Sequence, residues 1–125
     1  MFVSNSASHR AQNADRTGMA LILSRDDPGS VRAALSLSLA AIAAEDTAVI
    51  FFTQTGVRFL QQGEQDAALA EMRSMAQEEG VRLIACSDSL LELGLQPDKL
   101  ISGVELAGAL SFYRLARQVA VSLYI

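Results

Sequence analysis

The sequence predicts an α/β protein: a three-layer α/β/α sandwich around a mainly parallel sheet of about four or five strands. Three observations carry this. Short, continuously apolar runs such as MALIL and TAVIFFT have the character of strands buried on both faces. Between them lie segments with apolar residues at helical spacing, and glycine, proline and small polar residues separate the two kinds. Parallel neighbours need such long crossovers, so the alternation itself argues for parallel pairing.

Residues 1–18 are rich in Ser, Asn, Ala and Gln without periodicity. A stretch of this kind buries too little apolar surface to offset its ordering entropy, so a flexible tail is expected, with a single domain over residues 19–125. The only histidine, His9, falls in that tail. Residues 19–23 form the first strand; Ser24-Arg25-Asp26-Asp27-Pro28-Gly29-Ser30 breaks it, and Ser30 is placed to cap a helix over residues 31–45. Only Arg32, Ser36 and Ser38 give that helix polar relief, so burial on more than one side is expected, one against the sheet and another against a second subunit. Residues 47–53 are β-branched and aromatic, hence a strand. Gln54-Thr55-Gly56 turns the chain, residues 57–60 suit a short helical piece, and residues 61–65 read as a loop.

Leu69, Met72, Met75 and Ala76 recur at helical spacing over residues 66–79, and Gly80 is the expected stop. Val81, Leu83, Ile84 and Ala85 make the next strand, which delivers Cys86 to a strand-to-helix junction. The serine-to-glutamate spacing of Ser89 and Glu92 is that of a capping box. Gly94 ends the short helix, and Gln96-Pro97-Asp98-Lys99 turns the chain into a brief strand at Leu100-Ile101-Ser102. Residues 104–118 are expected as a helix, with Leu106, Ala109, Leu110, Tyr113 and Ala116 on one face, and residues 119–125 as the last strand.

With 125 residues, 50% hydrophobic and 19% charged, the chain suits one domain with a core large enough to fold unaided. A net charge of −4, one lysine and scattered arginines give no footprint for nucleic acid or an anionic membrane. A single cysteine makes no internal disulfide, no signal peptide is visible, and a soluble, cytoplasmic protein is expected. The longest apolar stretch, residues 35–44, is interrupted by serines and falls short of the ~20 residues that span a bilayer. So much apolar content in a small chain points to self-association.

Cys86 is the residue on which chemistry would turn. In open α/β sheets, ligands and reactive groups collect at the carboxyl ends of strands, where helix N-termini converge. Ser87, Asp88 and Ser89 supply backbone N–H groups there, while the Asp88 carboxylate acts against a thiolate. The plain alternative is a cysteine serving as a small buried hydrophobe. A cysteine hydrolase needs a histidine base, a dithiol cycle needs a second cysteine, and zinc needs more ligands than one cysteine and one histidine provide; no metal site is assigned. Asp26 and Asp27, adjacent in a Pro-Gly turn, read as a solvated loop. No dinucleotide or triphosphate fingerprint is present, so no cofactor is expected; Thr53-Gln54-Thr55-Gly56 is at most a weak phosphate-loop signal. Glu105 and Tyr113 lie on the helix expected to approach Cys86 and read as cap or core-edge residues.

The segment VRLIACSDSLLELGLQPDKLISGVELAGALSFYRLARQVAVSLYI resembles the C-terminal half of the DsrE/DsrF-like family, in particular its small stand-alone members. Ala85-Cys86, Gly94-Leu95, Leu100, Gly103-Val104-Glu105, Gly108 and Leu123 fall in the family's pattern, and FFTQTGVRFL resembles its first-half strand and glycine turn. Many relatives carry an aromatic residue where Thr55 precedes Gly56. The resemblance covers residues 19–125 and implies a DsrEFH-like fold, a homotrimer or homohexamer, and sulfur relay through a cysteine persulfide on Cys86, with Ser87, Asp88, Ser89, Thr55 and Gly56 in support. Sulfur-carrier or other thiol proteins would then be its partners. Two readings follow: Cys86 accepts and relays sulfane sulfur or senses thiol oxidants, or the protein is a non-catalytic module that holds a small ligand, or assembles, at the strand carboxyl ends near Cys86.

Overall fold

The computed structural model describes residues 16–63 and 66–125. In chain order its elements are β1 (Met19–Leu23), α1 (Pro28–Ala43), β2 (Ala48–Phe52), a 3₁₀ helix (Gln54–Leu60), α2 (Ala67–Glu78), β3 (Arg82–Cys86), α3 (Ser87–Leu93), a 3₁₀ turn (Pro97–Lys99), β4 (Glu105–Ala107), α4 (Ala109–Ala116) and β5 (Val121–Tyr124). The five strands form one sheet in the order β4-β3-β2-β1-β5, parallel at every pairing. The first three crossovers step the sheet in one direction; the fourth returns across it to set β5 beside β1. Since such crossovers are right-handed, the reversal must place α4 on the opposite face from α1, α2 and α3.

The core bears this out and gives the three layers. Leu21, Leu23, Ile50, Phe52, Leu83 and Ala85 pack with Val31, Leu35, Leu69 and Leu90 of the first three helices. The alternate residues Ala20, Val49, Phe51, Ile84 and Cys86 pack with Phe112 of α4 on the other side. Among the described residues no helix is long and apolar enough to cross a membrane. The expected tail lies outside the described residues up to position 15, and so does His9; Gly18 already accepts a hydrogen bond from Ala120 N at 3.1 Å.

Local differences from the sequence reading have identifiable causes. Ser30 does not cap α1: Asp27 does, its Oδ2 accepting from Ser30 N at 3.0 Å, because Pro28 starts the helix without needing a donor. The buried residues of α1 form one stripe, Val31, Ala34, Leu35 and Ser38, and the Ser38 hydroxyl donates back to Ala34 O at 2.8 Å. No strand forms at residues 100–102; Leu100 has only an isolated antiparallel bridge to Gln61. The edge strand is Glu105–Ala107, so the helix expected over residues 104–118 shortens to Ala109–Ala116. Pairing of Ile84 with Glu105 and of Cys86 with Ala107, reinforced by the Arg82–Glu105 ion pair, outweighs the helical spacing, and Gly108 caps what remains. Of the loop expected over residues 61–65, positions 64 and 65 lie outside the described residues.

At eight residues α4 is too short to hold its own shape in water, so its packing must hold it. The Phe112 ring stacks on Phe51 with centroids 4.4 Å apart and planes 15° from parallel. Phe112→Ala should therefore lower stability by about 3–5 kcal/mol in urea titrations and raise amide exchange in α4 above that in α1. Equal protection of the two helices in the variant would contradict this account.

Candidate functional site

Cys86 is at once the last residue of β3 and the N-cap of α3, with φ −68° and ψ 116°. Its partner across the sheet is Ala107, the last residue of β4. From these two strand ends the chain departs to opposite faces, α3 joining α1 and α2, and α4 crossing to the other side. This is the topological switch point of the sheet, where an open α/β fold leaves a crevice at the carboxyl ends. Strand alternation turns the Cys86 side chain to the α4 face, among Ile84, Phe51 and Phe112, and it is 6% exposed. Gly108 follows Ala107 at this edge, and a Cβ on it would sit 3.9 Å from Ser87 Oγ.

The residues named from sequence all lie on this carboxyl edge but divide between its two faces. Ser87 and Asp88 are exposed on the first turn of α3, and Ser89 is buried. Ser89 does not form a capping box with Glu92. Its Oγ instead accepts a hydrogen bond from Gln54 N at 2.8 Å and lies 3.2 Å from Thr53 Oγ1. The hydroxyl thus ties the end of β2 to α3, leaving α3 without a side-chain cap. Gln54 is held there with φ 52°, a left-handed conformation that costs a non-glycine residue free energy. Gly56 is a packing requirement: a Cβ would fall 2.3 Å from the Leu23 carbonyl oxygen. Thr55 Oγ1 donates to Ser24 O at 3.3 Å. Thr55 and Ser89 share a small pocket of about 80 Å³ with Gln54, Glu92 and Leu93, and Cys86 does not line it.

The charged candidates have structural partners. The Asp27 carboxyl is held below the ordinary carboxylate range first by the Ser30 hydrogen bonds and then by Arg25, 3.3 Å away. Glu105 takes two hydrogen bonds from Arg82, at 2.9 and 2.7 Å, which lower its carboxyl and raise the guanidinium. It therefore sits on β4 and not on a helix. Tyr113 is exposed on α4. Two features escaped the sequence reading. Arg73 is buried in α2, where burial pushes its guanidinium down and it lies 4.9 Å over the Phe59 ring. A cleft of about 450 Å³ runs between Asp26, Arg58, Gln62 and Asp66. Neither has a local motif, since each joins segments distant in sequence.

A family model described as the DsrE/DsrF-like family matches residues 3–121. Over 57 residues the chain is 37% identical to an uncharacterized protein YrkE of Bacillus subtilis, covering 46% of this chain and 36% of that protein. A further 59-residue alignment is 36% identical to the sulfur carrier protein DsrE2 of Allochromatium vinosum, covering 47% of this chain and 37% of that protein. The matched stretch thus spans little more than a third of either relative. Among solved structures, MTH1491 of Methanobacterium thermoautotrophicum, a protein of unknown function, superposes with a TM-score of 0.69 at 22% identity over 86% of this chain and 98% of that one. The ychN protein of E. coli gives 0.69 at 14% identity over 88% and 99%. Both share the fold.

Ser89→Ala should take the acceptor away from the part-buried Gln54 N–H and cost about 0.5–1.5 kcal/mol, measured by urea denaturation; an unchanged midpoint would contradict a stabilising role for this bond. Glu105→Gln should cost roughly 0.2–1 kcal/mol at neutral pH, as befits a half-exposed pair. Because the folded state lowers the Glu105 carboxyl, its contribution is present above the ordinary glutamate range and lost as pH falls through the lowered value. The stability difference between the variant and the unsubstituted protein should accordingly shrink below about pH 4; a gap that persists into stronger acid would assign it to packing.

Proposed function

The chain belongs to the DsrE/DsrF-like family, and from that premise we propose that it serves intracellular sulfur metabolism, Cys86 accepting sulfane sulfur as a persulfide and passing it on. One observation carries the reading: the chain's single thiol stands at the carboxyl end of β3, at the switch point of the sheet. The similarity to a protein named as a sulfur carrier supports the same direction.

The chemistry needs no cofactor. The Cys86 thiolate attacks the terminal sulfur of a donor R–S–SH; a new S–S bond forms as the donor's breaks, the donor leaves as R–S⁻, and the proton stays on the transferred sulfur. Delivery is the same displacement by an acceptor thiolate on the Cys86 persulfide, and no electrons are gained or lost overall. Since the chain has no second cysteine, the acceptor is a thiol of another protein or Cys86 of another subunit. At 6% exposure the sulfur sits beside Ala107 under the α4 layer, so a donor or acceptor thiol has to approach it at the carboxyl ends of β3 and β4. The compartment that suits a free thiol of this kind is the reducing cytoplasm. Self-association to a homotrimer or homohexamer completes the reading, supported by the apolar side chains that a single copy leaves exposed on α3, α4 and β5.

The burial of Cys86 favours a second reading, a non-catalytic module that binds a small ligand or assembles at this edge, with the thiol as a core residue. Incubation with a persulfide donor followed by intact-protein mass spectrometry separates the two. The expected result is one added sulfur per chain, removed by dithiothreitol, and none on Cys86→Ser, whose far-ultraviolet circular dichroism and assembly should match the unsubstituted chain. A folded native protein that gains no sulfur would leave the binding module standing.

A further inference from the structure

Two apolar patches left uncovered by the fold carry opposite charge. On α4, Leu110 and Tyr113 are 63% and 62% exposed, while Phe112 and Leu115 of that helix face the sheet. Tyr124 of β5 pairs with Ile22 and therefore emerges on the α4 side, 70% exposed. Arg114 and Arg117 flank this surface and line one concavity with Arg16 and Gln118, into which no carboxylate of the described residues projects. The second patch lies on the other side of the sheet. Leu91 of α3 is 82% exposed, with the exposed Asp88 and Glu92, four residues apart, together along one flank of it. Leu106 of β4 pairs with Ala85, so it too emerges on the α3 side, half-exposed. Among the described residues the ion pairs are Arg25–Asp27 and Arg82–Glu105, so none of these four charges is paired with another described residue.

We propose that these patches are the two halves of one contact between copies of this chain: the Leu110–Tyr113–Tyr124 face of one copy covers the Leu91–Leu106 surface of the next, with Arg114 and Arg117 against Asp88 and Glu92. The proposal rests on the self-association put forward above and supplies its faces. A net charge of −4 opposes contact between copies in most orientations, and the arginine-bearing face meeting an acidic one is the orientation that relieves it. Packing α4 on α4 would instead bring arginines towards arginines. An apolar centre with a charged rim is the anatomy of a specific interface. Because the two patches lie on opposite sides of the sheet, the contact is heterologous, and each copy keeps a free patch for a further one; the homotrimer or homohexamer proposed above requires the rotation between copies to close them into a ring. The docked copy then lies beside the first turn of α3, one residue past Cys86.

Sedimentation velocity on the full chain at low salt tests this. Arg114→Glu with Arg117→Glu, and separately Asp88→Arg with Glu92→Arg, should each weaken assembly by roughly ten-fold or more, with circular dichroism unchanged. The chain carrying all four substitutions should assemble with itself again and exclude the unsubstituted chain. Either pair assembling normally, or the fourfold variant staying monomeric while folded, would overturn the proposed faces. If a charge variant fails to fold, Leu91→Ser and Tyr113→Ser, both outside the core, must each dissociate the assembly. A monomeric unsubstituted chain at micromolar concentration would overturn the self-association itself, and sulfur loading of Cys86 is read independently on either form.

Discussion

A parallel sheet must be covered on both faces, because its strands are apolar on both, and here the cover is unequal. Three helices share one face of the sheet, whereas the single eight-residue α4 serves the other. This follows from one choice in topology, the reversal that sends the chain from β4 back to β5, combined with the fixed hand of the crossover. Much else depends on it. The Phe51–Phe112 stack has to anchor α4 over the middle strand, the Cys86 sulfur lies beneath that thin cover, and the outer side of α4 is left apolar.

The same constraint relates the site to the fold. The switch point exists because α3 and α4 leave neighbouring strands for opposite faces, so the thiol that ends β3 stands beside a gap between two helices. The supporting residues act mostly on geometry. Ser89 welds β2 to α3 through Gln54, and Gly56 lets the turn after β2 press against the end of β1. Neither touches the sulfur. Their work is to hold the carboxyl edge still, and they do it through backbone and hydroxyl groups instead of charges.

Most of the fold was legible in the sequence, and the rest was lost for definable reasons. Runs such as AVIFF carry their strand character locally, and Asp66 and Gly94 mark helix ends through hydrogen bonds and backbone conformation that depend on near neighbours. The edge strand was misjudged because Glu105–Ala107 is a strand only by virtue of β3; nothing in ELA itself prefers extension over the helix that follows. Ser89 shows the same limit. Its spacing to Glu92 fits a cap, but Gln54 competes for the hydroxyl from 35 residues away, and only the folded chain reveals the winner. The position of Cys86 at a strand's carboxyl end was readable, since an apolar run meeting a helix is local; which face receives the sulfur was not, because that depends on the strand's register in the sheet.

The pairing of β1 with β5 has a consequence for how the molecule comes together. Ser24 donates to the Ile125 carbonyl from both its backbone N, at 2.8 Å, and its hydroxyl, at 3.0 Å, across a separation of 101 residues. The first strand therefore holds one edge open until the last strand is available. Closing so long a loop is entropically expensive and slow, and while it stays unclosed MALIL presents an unpaired, wholly apolar strand edge. A chain growing residue by residue passes through that state every time it is made, with β1, β2 and β3 able to pair and β5 not yet synthesised. The period between synthesis of β3 and docking of β5 is when this protein is most exposed to pairing with the wrong strand.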